Sequence, residues 1–174
     1  VTGIDNNEEK LFFLSSKFNS KDINFHYCDI KDYNSVEKLS EDIDVIFHTA
    51  ALKHVIFCEK SPIVGIDNNI LGLNNLIQAA HKNNIKKFIF TSSDKAVNPT
   101  SVMGTTKLLG EKLTTSANLN SKKTIFSSVR FGNVLGSSGS FIPIFKKQII
   151  NNKNIIITDK RMTRFIMTIN EAVE

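Results

Sequence analysis

KFIFTSSDKAVNPTSVMGTTKLLGEKL, residues 87–113, is the stretch that decides how this chain folds. Residues 87–91 form a short apolar run that predicts a buried strand, residues 92–100 read as a polar loop, and residues 102–119 carry a helical pattern. A strand that passes through a polar loop into a helix is the repeating half of a βαβ unit. Such units build parallel sheets covered by helices.

The same alternation extends in both directions. Upstream, residues 23–27 predict a strand, followed by a helix from about Asp32. Residues 44–48 predict another strand, which runs into the small-residue turn Thr49-Ala50-Ala51. Ser61 is suited to cap a long helix with Pro62 in its first position. In that helix Ile63, Ile66, Ile70, Leu73, Ile77 and Ala80 recur at spacings of three and four, giving one buried face. Downstream, residues 124–130 predict a strand, 131–140 a glycine- and serine-rich loop, 141–150 a helix and 155–157 a short final strand. A further helix begins near Asn170. The pattern predicts an α/β fold, a Rossmann-like doubly wound parallel sheet.

A dinucleotide-binding sheet of this kind needs a first strand followed by a G-x-G-x-x-G loop, where a pyrophosphate meets a helix N-terminus. No such loop occurs. Val1-Thr2-Gly3 has the start of one, but Asp5-Asn6-Asn7-Glu8 follows in place of further glycines. Residues 1–5 therefore read as the second strand of the sheet. The expectation is a fragment cut at both ends, without the first βα unit and without the C-terminal substrate region.

Composition narrows the class. The chain has 174 residues, 41% hydrophobic and 22% charged, enough for one α/β domain with a core. No apolar run reaches the roughly 18 residues of a membrane span, and Val1 opens into a polar segment without a signal-peptide pattern. Cys28 and Cys58 stand far apart with no metal or disulfide spacing, so two reduced thiols, no metal and a cytoplasmic location are expected. The net charge of +5 raises the question of nucleic acid. The lysines are dispersed in pairs (Lys86-Lys87, Lys122-Lys123, Lys146-Lys147) and the aromatic residues sit inside apolar runs, so no nucleic-acid partner is expected.

Ligands of open α/β sheets bind beyond the carboxyl ends of the strands. Polar or small residues collect at five successive predicted strand ends. These are Asp5, Asp29, the run Ala50-Ala51-Leu52-Lys53-His54, the run Thr91-Ser92-Ser93-Asp94-Lys95, and residues 130–140.

Four segments, HTAALKHV (48–55), FTSSDKAVNPTSVMGTTK (90–107), VRFGNVLGSSGSFIP (129–143) and ITDKRMTRFIMT (157–168), resemble in order and spacing the polysaccharide-biosynthesis branch of the extended short-chain dehydrogenases. That branch includes the UDP-N-acetylglucosamine 4,6-dehydratases. The resemblance covers essentially the whole chain, and implies a partial NAD(P)-binding Rossmann domain over residues 1–174. It also implies a lyase acting on a UDP- or GDP-linked N-acetylglucosamine-type sugar. Hydride leaves C4 for the nicotinamide, water is lost across C5 and C6, and hydride returns to C6. A nucleotide-sugar 4-epimerase and a catalytically inactive Rossmann binding domain are the alternatives.

The resemblance also implies roles. Asp94 protonates the leaving C6 hydroxyl and Lys95 removes the C5 proton, which calls for a raised Asp94 pKa and a lowered Lys95 pKa. Lys107 is the lysine of what is usually Tyr-x-x-x-Lys and binds the nicotinamide ribose. Met103 stands in the tyrosine's position, as in a Met-containing subgroup, and a thioether cannot act as a base. The C4 base is then Asp94, directly or through Ser93 or a water, with Met103 also expected as a core residue below the site. One of Ser92 and Ser93 is expected to hydrogen-bond the sugar near O4, and Ser92 also to border the cofactor. Asp29 and Ile30 flank adenine, Ala50, Ala51 and Lys53 lie beneath the nicotinamide side, Asn69 lies near the cofactor, and Lys53 also faces substrate. Asp5 suits ribose hydroxyls and repels a 2′-phosphate, favouring NAD over NADP. Asn133 and Arg164, with Lys160 and Arg161 beside the latter, are implied for the nucleotide diphosphate. A homo-oligomer is implied for the longer enzyme, membrane association stays open, and the fragment itself is expected to be inactive.

Overall fold

The computed structural model describes residues 1–137, 140–157 and 159–174, in two compact units, Val1–Val129 and Arg130–Glu174. Residues 138, 139 and 158 fall in the expected glycine- and serine-rich loop and in the 157–168 segment, and they lie outside the described residues.

In the first unit, β1 (Thr2–Asp5) pairs in parallel with β2 (Asn24–Tyr27), Thr2 facing Asn24 and Asp5 facing Tyr27. The crossover is α1 (Glu8–Lys17). Asn7 caps it by accepting from the Lys10 amide, and acidic residues at its start and Lys17 at its end complement the helix dipole. After β2 comes α2 (Tyr33–Leu39), capped by the Asp32 carboxylate. Then β3 (Val45–His48) pairs in parallel with β4 (Lys87–Ser93), and β5 (Ile125–Phe131) flanks β4 on its other side. The division between the two units falls within β5. Between β3 and β4 run α3 (Val55–Lys60), α4 (Pro62–Ile66), a π-helical turn over Asp67–Leu71, and α5 (Gly72–Lys82). The helix α6 (Val102–Asn120) links β4 to β5.

The pairs β1–β2 and β3–β4–β5 form separate hydrogen-bonded sheets. A shared core joins the two sheets: Cys28, Ile30 and Val36 pack with Leu73, Leu76, Ile77, Ile85, Phe88, Phe90 and Phe126. Phe88 meets Phe126 with ring centroids 5.3 Å apart. The fold is thus the expected Rossmann-like parallel α/β arrangement.

Several expectations about elements need correction. The strand expected over 87–91 continues through Ser92 and Ser93, so these serines belong to β4 and not to a loop. The helix α3 was not anticipated from the sequence, and residues 153–157 form no strand. Ser61 holds the N-cap position, but its side chain makes no capping bond. The long helix expected from Pro62 is interrupted by the π turn. Leu73, Ile77 and Ala80 are buried as the periodicity requires, whereas Ile63 and Ile66 are 67% and 40% exposed. The reason is geometric: a π turn holds one extra residue, which rotates everything before it by about 100° relative to a continuous α-helix.

The second unit contains β6 (Asn133–Val134) paired in parallel with β7 (Ile166–Met167), α7 (Phe141–Ile150) and α8 (Ile169–Val173). Thr168 and Glu171 form a reciprocal capping box at the start of α8. Gly132 is required where it stands, because a Cβ there would lie 2.8 Å from the Phe165 carbonyl oxygen.

The contact between α6 and β4 is equally close. A Cβ on Gly110 would lie 2.6 Å from Phe90 Cζ, whose ring is 1% exposed and has nowhere to retreat. Helix propensity alone favours alanine by about 1 kcal/mol, but overpacking costs about 1–3 kcal/mol. Gly110→Ala is therefore expected to lower stability in urea unfolding; a higher midpoint would show that this contact yields.

Candidate active site at the end of strand β4

The site is built on the alternation of β4. Thr91, Ser92 and Ser93 are successive strand residues, so their side chains leave on opposite faces. Thr91 Oγ1 donates to the His48 carbonyl at 3.0 Å, joining the ends of β3 and β4. Ser92 is buried and donates to Glu111 Oε1 of α6 at 2.5 Å, so its hydroxyl ties strand to helix. Ser93 donates to Asp94 Oδ1 at 2.8 Å and accepts from the Lys95 amide at 3.3 Å. It thereby caps the single 3-10 turn over Asp94–Ala96.

That turn carries the two residues expected to do proton chemistry. Lys95 Nζ lies 2.9 Å from Asp94 Oδ1, with both side chains partly open to solvent. Burial pushes the Asp94 carboxyl up, but the hydrogen bonds from Lys95 and Ser93 and the Lys95 charge outweigh it. The carboxyl is held below its ordinary value. The expectation of a raised Asp94 pKa is corrected here: with an ammonium in contact and water still present, the carboxylate is the favoured form.

Helix α6 supports the turn from below. Its N-terminus is secured by Ser101 Oγ, which accepts from the Gly104 amide at 3.1 Å, and by Glu59 Oε1 of α3, which accepts from the Val102 amide at 2.6 Å. Gly104 presses against the Asp94–Lys95 turn so closely that a Cβ would overlap the Lys95 carbonyl oxygen. One turn on, Lys107 is 7% exposed; its Nζ donates to the Thr91 carbonyl at 2.8 Å and stands 4.8 Å from the Phe90 ring centre. Burial pulls its pKa down to about 8. Met103, at 4% exposure, is a core residue on the same helix face. His48 is buried against Phe90, its Nε2 without a hydrogen-bond partner. Its pKa falls to about 3, through burial first and the Lys107 charge second, so the imidazole is neutral.

Asn69 is buried on the π turn. Its Oδ1 accepts from the Leu52 amide at 2.8 Å, and its Nδ2 donates to the Leu52 carbonyl at 3.1 Å and to Thr106 Oγ1 at 3.0 Å. Ala50 and Lys53 on the turn it grips are exposed and Ala51 is half-buried. At the other sheet, Asp5 ends β1 with Oδ1 accepting from the Asn7 amide at 2.9 Å. Asp29 follows β2, accepting from the Lys31 amide and lying 3.5 Å from Lys31 Nζ. The Ile30 side chain belongs to the core, which leaves only its backbone for a ligand.

Ser92, Ser93, Asp94, Lys95, Met103, Lys107 and Asn69 therefore converge on β4 and the first turns of α6. Asn133 and Arg164 belong to the second unit, where Asn133 lies in β6 and the Arg164 guanidinium donates to the Thr163 carbonyl at 2.6 Å. The Arg161 guanidinium pairs with Asp159 at 2.8 Å, while Lys160 is exposed. The contributions of Gly104, Thr106, Glu111 and Glu59 were not read from the sequence. Gly104 and Thr106 had a local signal, since they stand between Met103 and Lys107 where the helix must approach the strand end. Glu59 and Glu111 had none.

Among the described residues no group of three or more His, Cys, Asp and Glu side chains could hold a metal, both cysteines are free, and no helix is long and apolar enough to cross a membrane. The inverting UDP-N-acetylglucosamine 4,6-dehydratase of Campylobacter jejuni is 42% identical over 170 residues, 96% of this chain and 51% of that protein. A UDP-glucose 4-epimerase of Rickettsia bellii is 43% identical over 169 residues, 96% of this chain and 50% of that one. The X-ray structure of Pen from Bacillus thuringiensis is matched with a TM-score of 0.96 at 45% identity, over 99% of this chain and 54% of that one. The chain spans about half the length of the curated relatives it matches. The profile described as polysaccharide biosynthesis protein matches residues 2–174. With the strand-end cluster on β4 and α6 and relatives that are nucleotide-sugar dehydratases and epimerases, the chain belongs to the polysaccharide biosynthesis protein family.

Proposed function

We propose that this chain carries the oxidation and elimination site of a nucleotide-sugar 4,6-dehydratase, acting on a UDP- or GDP-linked N-acetylglucosamine-type sugar. The observation that carries the reading is the Asp94–Lys95 pair, hydrogen-bonded at 2.9 Å at the carboxyl end of a parallel strand and backed by Gly104. Elimination across C5 and C6 needs a base at C5 and an acid at the C6 oxygen. A carboxylate and an ammonium in contact hold one shared proton. Passing it from Lys95 to Asp94 leaves a neutral amine and a carboxylic acid, which are the forms the elimination requires. Exclusion of water on substrate binding favours that transfer, because charge separation is costlier in a dry site.

Residues at the strand ends fit a nicotinamide cofactor. Ala50 and Ala51 leave room at the end of β3, and the Lys107 ammonium is fixed beside the end of β4. Asp5 ends β1, where a carboxylate accepts from ribose hydroxyls, so NAD is favoured over NADP. When bound, the cofactor would supply the hydride acceptor for C4 and the donor for C6. Met103 cannot take the C4 hydroxyl proton. The ionised Asp94 can, through the hydroxyl of Ser93, to which it is bonded at 2.8 Å, and it passes that proton on to solvent before it receives the one from Lys95. Residues 1–174 on their own, without a glycine-rich loop, bind NAD weakly.

A nucleotide-sugar 4-epimerase is the second reading, favoured by the Rickettsia bellii relative. It shares the C4 oxidation but has no use for an acid and a base aimed at C6 and C5.

In protein expressed from the complete open reading frame, Asp94→Asn and Lys95→Ala are each expected to lower formation of a 4-keto-6-deoxy sugar by at least about a hundredfold. Wild-type rates in either variant would remove the pair from the chemistry, and a C4 epimer as sole wild-type product would favour the second reading. Gly104→Ala, which displaces the Lys95 backbone, is expected to cut turnover about tenfold or more while circular dichroism stays native.

Lys107 yields a prediction independent of turnover. Its folded pKa of about 8 lies below the unfolded 10.5, so burying the charge costs stability fully below pH 8. The cost, about 3 kcal/mol, vanishes as pH climbs through 10.5. Lys107→Met is therefore expected to be more stable than wild type at pH 7, with the gain shrinking above pH 8. A gain that does not vary between pH 7 and 10 would overturn the assignment of a buried ammonium.

A further inference from the structure

We infer that Asn69 and Thr106 form a positioning bridge, which locks the turn after β3 onto the helix that carries Lys107 and so sets the bed on which the nicotinamide end of the cofactor lies. The inference rests on the cofactor reading above, but it goes beyond it. There, Asn69 is a residue near the cofactor; here it acts through other groups and makes no cofactor contact of its own.

The hydrogen-bond geometry carries the case. Asn69 has two Nδ2 hydrogens, and both are used, on the Leu52 carbonyl and on Thr106 Oγ1, while its Oδ1 receives the Leu52 amide. Thr106 in turn donates to the Met103 carbonyl at 2.7 Å, so its hydroxyl is oriented to accept from Asn69. Both side chains are buried, at 3% and 4% exposure. A buried amide with no unused donor has little to offer a ligand directly. What it does offer is a rigid connection: Leu52 stands between Ala51 and Lys53, and Thr106 stands one residue before Lys107. A second bond onto the same carbonyl, from Cys58 Sγ at 3.8 Å, pins Leu52 further.

The backbone supplies an independent observation. Asn69 sits in the middle of the π turn Asp67–Leu71, closed by the Gly72 amide on the Asp67 carbonyl. A π turn is less favourable than the α-helix it interrupts and recurs at functional sites. Here the extra residue swings Asn69 inward to reach Leu52 and Thr106 at once. The same turn exposes Ile63 and Ile66, an apolar loss the helix tolerates in exchange.

Thr106→Val keeps the shape of the side chain and removes both hydrogen bonds of its hydroxyl, whereas Thr106→Ser keeps the hydroxyl. Both are made in the protein from the complete open reading frame, with Asn69→Ala as a more severe companion. Exchange of the Leu52 amide, affinity for NAD and NADP by calorimetry, affinity for UDP, and product formation are measured in parallel. In Thr106→Val, exchange at Leu52 is expected to quicken and affinity for the preferred dinucleotide to weaken, each on the order of tenfold. UDP affinity should hold, and Thr106→Ser should restore both. Dinucleotide affinity unchanged in Thr106→Val, whether or not Leu52 exchange quickens, overturns the proposal, because the bridge is then structural only. If the bridge effects occur while the wild type forms no 4-keto-6-deoxy sugar, the proposal stands and the dehydratase reading falls. A wild type that binds neither dinucleotide overturns both.

Discussion

A lysine ammonium withdrawn from water must find its partners inside the protein, and Lys107 finds them in the Thr91 carbonyl and the face of Phe90. That constraint fixes much else. That carbonyl lies one residue beyond Phe90, the last β4 residue in register with β3. The ammonium reaches it only because α6 approaches closely, with Gly104 against the Lys95 carbonyl and Gly110 against Phe90. The same approach brings Ser92 to Glu111 and Thr106 to Asn69. Helix, strand and the 3-10 turn between them are thus held as one piece, and the Asp94–Lys95 pair is mounted on its exposed end.

Electrostatics then divides the site into two regimes. Lys107 and His48 are deep, and burial drives both toward their neutral forms. Asp94 and Lys95 are shallow, and the contact between them favours the Asp94 carboxylate. A dry interior beside a wet rim suits chemistry in which a proton must be held until substrate arrives. In the proposed elimination the rim pair changes state when water leaves, whereas the deep pair has already met its desolvation cost on folding.

Much of this was legible in the residues. The alternation of apolar runs and helical patterns gave the parallel α/β class, because strand and helix periods differ and both leave a trace in hydrophobicity. The strand-end clusters located the candidate site, because parallel strands deliver their carboxyl ends to one side. Helix α3 escaped because its six residues are too few to display a period. The π turn escaped because one inserted residue leaves the downstream spacing of Leu73, Ile77 and Ala80 intact, so nothing in the sequence marks the change of phase. The Asp94 protonation state was misjudged because it depends on how close Lys95 comes and how much water remains, and neither is a property of the sequence alone. Ser92 was misread as loop for a simpler reason: a serine at a strand end and a serine after it look the same until the register is known.

The π turn also has a meaning for how the chain can change. One residue more or fewer within a helix turns its two flanks by about 100° relative to each other. Over Asp67–Leu71, deleting one residue would restore a continuous α-helix and turn α3 and α4 by about 100° with respect to the sheet. Glu59 would then leave the start of α6, and Leu52 would lose its grip on Asn69. Chain length in this segment is therefore under far tighter constraint than side-chain identity on its surface. Substitutions at Ile63 or Ile66 should drift freely where a one-residue gap could not.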